Sequence, residues 1–114
     1  MQTNAAIDYD DLADKAEEAS RLMKLLANER RLLLLCRLAG AGEMPVSALA
    51  EAVGLSQSAL SQHLALMRAE GLVAFRRDGQ TLYYRINDPA AGQFLAMLKD
   101  IYCDKSHPAQ RNPS

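Results

Sequence analysis

Leu12, Ala16, Ala19, Met23 and Leu26 recur at steps of three and four residues, and this stripe predicts an amphipathic helix over 8–26. Asn28 suits the cap of a second helix over 29–39, because its short side chain can accept from a first-turn N–H. Leu32, Leu35, Cys36 and Ala39 are the expected core positions of that helix, and Gly40 and Gly42 end it. Ser47 is the expected cap of a short third helix carrying Leu49, Ala50 and Val53, which Gly54 breaks. Ser56 caps a fourth helix to about Glu70, with Gly71 just past its end. The tight Gly54-Leu55-Ser56 joint between these two helices signals a helix-turn-helix.

After Gly71 the period changes. Residues 72–77 are strand-like, Asp78-Gly79 is a strong hairpin turn signal, and 80–86 alternates. Leu82, Tyr84 and Ile86 fall on one face of that second strand, with Thr81, Tyr83 and Arg85 on the other. A hairpin directly behind a helix-turn-helix is a wing. Asp88-Pro89 then opens a last helix, with Asp as cap and Pro at the first helical position. Its face of Ala91, Phe94, Leu95, Leu98, Ile101 and Tyr102 is too apolar for a short tail helix to hide alone, so a partner subunit is its natural cover. The expected fold is mainly α with a small β-hairpin: about five helices and a two-stranded wing. One domain over 8–104 is expected, with flexible ends at 1–7 and 105–114.

The fourth helix carries the most specific chemistry. At the helical period Leu60, Leu64 and Met67 face inward, while Gln57, Ser58, Ser61, Gln62, Ala65 and Arg68 face out. Surface faces usually carry Glu and Lys, yet none occurs from Gln57 to Met67. Short uncharged side chains let a helix approach a major groove. There Gln can pair with adenine edges, Ser can serve bases or phosphates, and Ala can meet a thymine methyl. Arg76, Arg77 and Arg85 on the hairpin are candidates for phosphate or minor-groove contact, or are solvated strand charges. His63 lies toward the core side and reads as a packing residue.

Composition adds three constraints. The chain has 114 residues, 49% of them hydrophobic, enough for a modest core that extra burial at a dimer interface would help. The net charge of −1 is unevenly divided: residues 1–20 carry −5 and the remainder +4, which suits a mildly basic face toward nucleic acid. Neither a secretory signal nor a membrane span is visible, so a cytoplasmic protein is expected. In that compartment two cysteines, Cys36 and Cys103, are more often reactive or metal-binding than a permanent staple. Taken alone, Cys36 reads equally well as a small core hydrophobe. Cys103 lies at the edge of its apolar face, near a helix end. No Ser/His/Asp set, phosphate loop or paired carboxylate cleft is visible, so no enzyme, cofactor or catalytic residue is expected.

The stretches LLANERRLLLLCRL (25–38), VSALAEAVGLSQSALSQHLALMRAEGLV (46–73) and RRDGQTLYYRI (76–86) together resemble the ArsR family of winged-helix repressors. The resemblance covers about 12–103. It implies a homodimer built on the first and last helices, bound to an inverted-repeat operator and released by an inducer. It also implies that Gln57, Ser58, Ser61 and Gln62 read bases, the face the helical period selects independently. Arsenic- and cadmium-type members carry cysteines just before and at the start of the third helix, where Pro45 and Ser47 stand here. Zinc- and nickel-type members carry His on the last helix, and here His107 lies beyond it. LLLLCRLAG and LKDIYC instead look like a dithiol subgroup that includes persulfide-responsive repressors. By that resemblance Cys36 and Cys103 become linked, directly or through extra sulfur, and DNA is released. Two other readings stay open: a metal or metalloid sensor using Cys36, Cys103 and perhaps His107, and a winged-helix module that binds protein.

Overall fold

Helix α1 (Tyr9–Leu26) opens the computed structural model, which describes residues 9–103. The expected flexible ends at 1–7 and 105–114 lie outside the described residues, as does His107. α2 (Glu29–Ala41), β1 (Met44–Pro45), α3 (Val46–Val53) and α4 (Gln57–Ala69) follow. β2 (Val73–Asp78), β3 (Thr81–Ile86) and α5 (Pro89–Cys103) complete the described residues. Five helices surround one small sheet, and the helix-turn-helix and wing stand where the sequence pattern puts them.

The caps explain the boundaries. Asn28 Oδ1 accepts from the Arg31 N–H at 3.0 Å, and Ser56 Oγ accepts from the Ala59 N–H at 3.1 Å. Asp88 Oδ1 accepts from the Ala90 N–H at 2.9 Å, with Pro89 behind it as the first helical residue. The joint between α3 and α4 depends on Gly54, which sits left-handed at φ 69° so that its N–H can return to the carbonyls of Ala50 and Glu51.

Four expectations need correction. The core face of α2 is Leu34, Leu35 and Leu38, with Leu32 only half-buried and Cys36 and Ala39 exposed. A run of four leucines, 32–35, supports more than one helical face, and packing against α3 and α5 selects the face carrying 34, 35 and 38. The third helix is preceded by extended Pro45, not capped by Ser47; Ser47 lies inside its first turn and makes no cap bond. The wing belongs to a three-stranded sheet of order β1-β3-β2. Met44 and Pro45 pair with Tyr84 and Tyr83, and two residues are too few to show an alternating pattern. Finally, Asp78 pairs with Thr81 inside the ladder, so the hairpin loop is Gly79-Gln80. Gly79 alone there has positive φ, 66°, the sign pattern of a II′ turn.

The core gathers Leu34, Leu35 and Leu38 of α2, Leu49 of α3, and Leu60, Leu64 and Met67 of α4. Leu72 just before β2, Tyr84 of β3 and Leu95 of α5 close it. α1 contributes least: of its 18 residues only Leu26 is buried, while Leu12 and Met23 of its apolar stripe stand more than half exposed.

The corrected α2 face predicts a contrast. Leu35→Ala should cost about 2–5 kcal/mol, the range for a large core truncation. Cys36→Ala should stay within about 0.5 kcal/mol, as for a surface change. Equilibrium urea unfolding of the reduced protein measures both, and a loss above about 1 kcal/mol at Cys36→Ala would return that thiol to the core.

Candidate DNA-reading surface and thiol site

α4 separates its two faces sharply. Leu60, Leu64 and Met67 are buried, which turns Gln57, Ser58, Ser61, Gln62 and Ala65 to solvent. Ser56 is occupied by the cap, so Ser58 and Ser61 are the hydroxyls that remain outward. Gln57 also meets the wing turn: with Val46, Ser47, Gln80, Thr81 and Leu82 it borders a depression of about 360 Å³ between α3, α4 and the hairpin. Gln80 and Thr81 were not among the expected site residues. A loop position carries no periodic signal, and only the hairpin register places them beside the start of α4.

Arg68 has a different position from the rest of that face. Its Nη1 donates to the Tyr84 hydroxyl at 2.9 Å, and its guanidinium lies 5.3 Å from the Phe75 ring centroid. Phe75 and Tyr84 are cross-strand partners with ring centroids 5.4 Å apart. Arg68 therefore ties the end of α4 to the base of the wing, and its hydrogen bond satisfies the polar end of the buried Tyr84.

The sheet register sorts the three wing arginines. Arg76 pairs with Tyr83 and Arg85 with Ala74, so these two share one face. Arg77 lies on the other face, paired with Leu82, which borders the depression next to Gln57. Arg76 is already engaged. Its Nε donates to Glu43 Oε2 at 2.8 Å and its second terminal nitrogen to Oε1 at 3.0 Å, while its guanidinium lies 4.5 Å from the Tyr83 ring centroid. Arg77 and Arg85 are exposed. Glu43 is the functional neighbour that sequence reasoning missed. An acid directly before an edge strand that faces basic β-hairpin positions was the available signal.

The pair is electrostatically coupled. The Arg76 hydrogen bond, helped by the charges of Arg76 and Arg85, holds the Glu43 carboxyl below the ordinary glutamate value against an opposing desolvation. The same bond raises Arg76 above the ordinary arginine value. A depressed carboxyl contributes stability that is complete above its unfolded value and is lost as pH falls through the folded one. The Glu43 carboxyl should thus titrate below a free glutamate and move up in Arg76→Gln. Side-chain carboxyl chemical shifts followed by NMR against pH read both, and an unchanged midpoint in Arg76→Gln would refute the coupling.

Cys36 is exposed on α2. It lines a groove of about 800 Å³ between α2 and α5, together with Leu33, Leu95, Ala96 and Tyr102. Cys103, the last residue of α5, directly follows Tyr102. The structure thus brings Cys36 and the residue before Cys103 to one groove. Among the described residues, no three His, Cys, Asp or Glu side chains gather as a metal site.

Comparison with known proteins agrees with this architecture. The family described as "Bacterial regulatory protein, arsR family" matches residues 28–74, the span of α2 to the start of the wing. The nodulation protein NolR of Rhizobium meliloti is 47% identical over 100 residues, covering 88% of this chain and 81% of NolR. The crystal structure of the transcriptional repressor BigR from Xylella fastidiosa superposes with a TM-score of 0.79 at 33% identity, covering 87% of this chain and 100% of that one. The solution structure of the homodimeric winged helix-turn-helix domain Mb0332 from Mycobacterium bovis has a TM-score of 0.70 at 32% identity, covering 96% and 99%. With its helix-turn-helix, its wing and relatives matched over 81% or more of their length, this chain is a winged-helix transcriptional regulator of the ArsR family.

Proposed function

We propose that the chain is a cytoplasmic, homodimeric transcriptional repressor that binds an inverted-repeat operator and leaves it when Cys36 and Cys103 become linked by reactive sulfur or an oxidant. The observation that carries DNA reading is the exposed, acid-free row Gln57, Ser58, Ser61 and Gln62 on a helix whose opposite face is buried. Gln57 and Gln62 are the base readers, with Ser58 and Ser61 on bases or phosphates. Arg77 and Arg85 supply backbone contacts. Arg76 and Arg68 act mainly by positioning the wing, because each is held by a protein partner.

Dimerisation is supported by the apolar surface on α1 and α5. Tyr9, Leu12 and Met23, with Met97, Ile101 and Tyr102, stand exposed among the described residues. The homodimeric winged-helix relative has the same fold. A dimer would set two α4 helices at successive major grooves, about 34–36 Å apart.

The thiol step is chemically simple. The first cysteine takes sulfane sulfur from a low-molecular-weight persulfide and releases that carrier as a thiol. The second thiolate then attacks the first cysteine's own sulfur, closing a Cys–Cys disulfide and expelling the added sulfur as hydrosulfide. With two persulfidated cysteines, the same attack leaves a trisulfide and one hydrogen sulfide. An exposed Cys36 on α2, rather than a core one, supports this route. A link between α2 and α5 alters the dimer-facing helix, and a coupling of about 1–3 kcal/mol weakens DNA binding roughly 5- to 150-fold.

Three outcomes follow. Gln62→Ala should relax base preference at one operator position by about 1–3 kcal/mol, read by selection from a random-sequence duplex pool. Arg77→Ala should lower the salt slope of binding by about 1, and Arg76→Ala by less, in mobility-shift titrations across salt concentrations. Glutathione persulfide should release the wild type and leave Cys36→Ser and Cys103→Ser bound; release of both variants would defeat the thiol mechanism.

A further inference from the structure

The two faces of the wing differ in charge. Strand alternation puts Arg76 and Asp78 of β2 on one face with Arg85 of β3, and leaves Arg77 as the charged residue of the other. Arg76 meets two acids. It holds Glu43 through paired hydrogen bonds of 2.8 and 3.0 Å, and Asp78 lies 4.0 Å from its guanidinium. The charge of Arg85 acts on Glu43 as well. Two arginines and two acids thus bring the outer face close to neutral. Arg77 is in no ion pair among the described residues, so its own face stays cationic.

The Glu43–Arg76 clasp has the form of a DNA contact. Arginine binds carboxylate and phosphate with the same fork of two hydrogen bonds, so the two Glu43 oxygens sit where two phosphate oxygens would. The Tyr83 ring, 4.5 Å from the guanidinium, supports that fork from one side. Both partners are reachable from solvent, with side chains 50% and 33% exposed. A wing laid over a minor groove about 6 Å wide has a phosphate strand on each side, so both of its faces can meet DNA. The base of the wing is held separately, by Arg68 on Tyr84 and by Tyr84 against Phe75.

We propose that Glu43 competes with a DNA phosphate for Arg76, and so sets how tightly the outer face of the wing grips the duplex. The proposal rests on the DNA-binding reading above. If Arg76 moves to a phosphate, it exchanges one bidentate acceptor for another and leaves a bare carboxylate facing DNA. The exchange gains little, and the clasp stays closed. Phosphate contacts are alike for every sequence, so a withheld Arg76 leaves a larger share of the affinity to the base-reading row of α4. Removing the carboxylate removes the competitor and frees the arginine.

Mobility-shift titrations across salt concentrations and phosphate-ethylation interference test this, on the duplex that the reduced wild type selects from a random-sequence pool. Glu43→Gln should bind about eightfold tighter per wing near 0.1 M salt, with a salt slope steeper by about 0.9 per wing and the advantage fading toward 1 M. A phosphate beside the wing, indifferent to ethylation with the wild type, should become required. Glu43→Ala should repeat both results, and circular dichroism confirms the fold of each variant. Glu43→Gln combined with Arg76→Gln should lose the new phosphate and the steeper slope. Three results overturn the proposal: binding by Glu43→Gln and Glu43→Ala no tighter than wild type, a gain with no new phosphate, or a new phosphate that survives Arg76→Gln. Each leaves the DNA-binding reading intact. A wild type that selects no duplex overturns that reading and the proposal with it.

Discussion

Burial of Leu34, Leu35 and Leu38 against α3 and α5 is the constraint on which the remaining geometry depends. A helix has one inward face. Once positions 34, 35 and 38 occupy it, the 3.6-residue period turns Cys36 and Ala39 outward. The same burial seats α3, through Leu49, and α3 in turn holds α4 through the Gly54 joint. One packing decision therefore directs a thiol toward α5 and helps set the angle of the DNA-reading helix. Neither residue group needs the other for its local chemistry; they are related because they hang from the same leucines.

The wing is ordered by register more than by hydrophobicity. In an antiparallel ladder a one-residue slip exchanges the faces of every side chain. The Gly79-Gln80 loop, one position past the apparent Asp-Gly turn, brings Phe75 opposite Tyr84 and Arg76 opposite Tyr83. It leaves Arg77 on the α4 side. Three arginines that look equivalent along the chain become three different groups: one clasped by Glu43, one beside the recognition helix, and one on the outer face. An arginine in a bidentate carboxylate pair must give up charge-assisted hydrogen bonds before it can serve a phosphate, so proximity to DNA alone does not make the three equal.

Element types and caps were legible because they are local. Asn28, Ser56 and Asp88 each bond within three residues of their own position, and Gly54, Gly71 and Gly79 each adopt a positive φ that a single residue identity can announce. The outward row of α4 was legible because its inner partners, Leu60, Leu64 and Met67, are regularly spaced and bracketed by uncharged polar residues. What failed to show depended on distant partners. Four consecutive leucines do not say which pair faces the core until α3 and α5 are present. Met44-Pro45 becomes a strand only because the free edge of β3 lies beside it. Glu43 gains a role only when that strand brings it to Arg76, 33 residues away. Arg68, placed outward by its period, is long enough to swing to Tyr84, and a helical wheel records only where a side chain starts.

Glu43 also bears on how a change near the groove would reach the wing. α2 ends at Ala41, and the N–H of its cap residue Gly42 bonds back to the Leu38 carbonyl at 2.7 Å. Glu43 is the next residue, and Met44 is already paired to β3. Only two residues thus lie between the helix bearing Cys36 and the sheet bearing the wing arginines. Gly42, at φ 85°, is the one soft point in that link, and the bidentate Glu43–Arg76 pair stiffens the segment immediately after it. A shift of α2 relative to α5 has little slack to absorb it before it meets β3. The groove, the thiol and the wing then form one mechanical sequence, in which the exposed ion pair matters for the geometry it fixes more than for the modest stability a surface pair supplies.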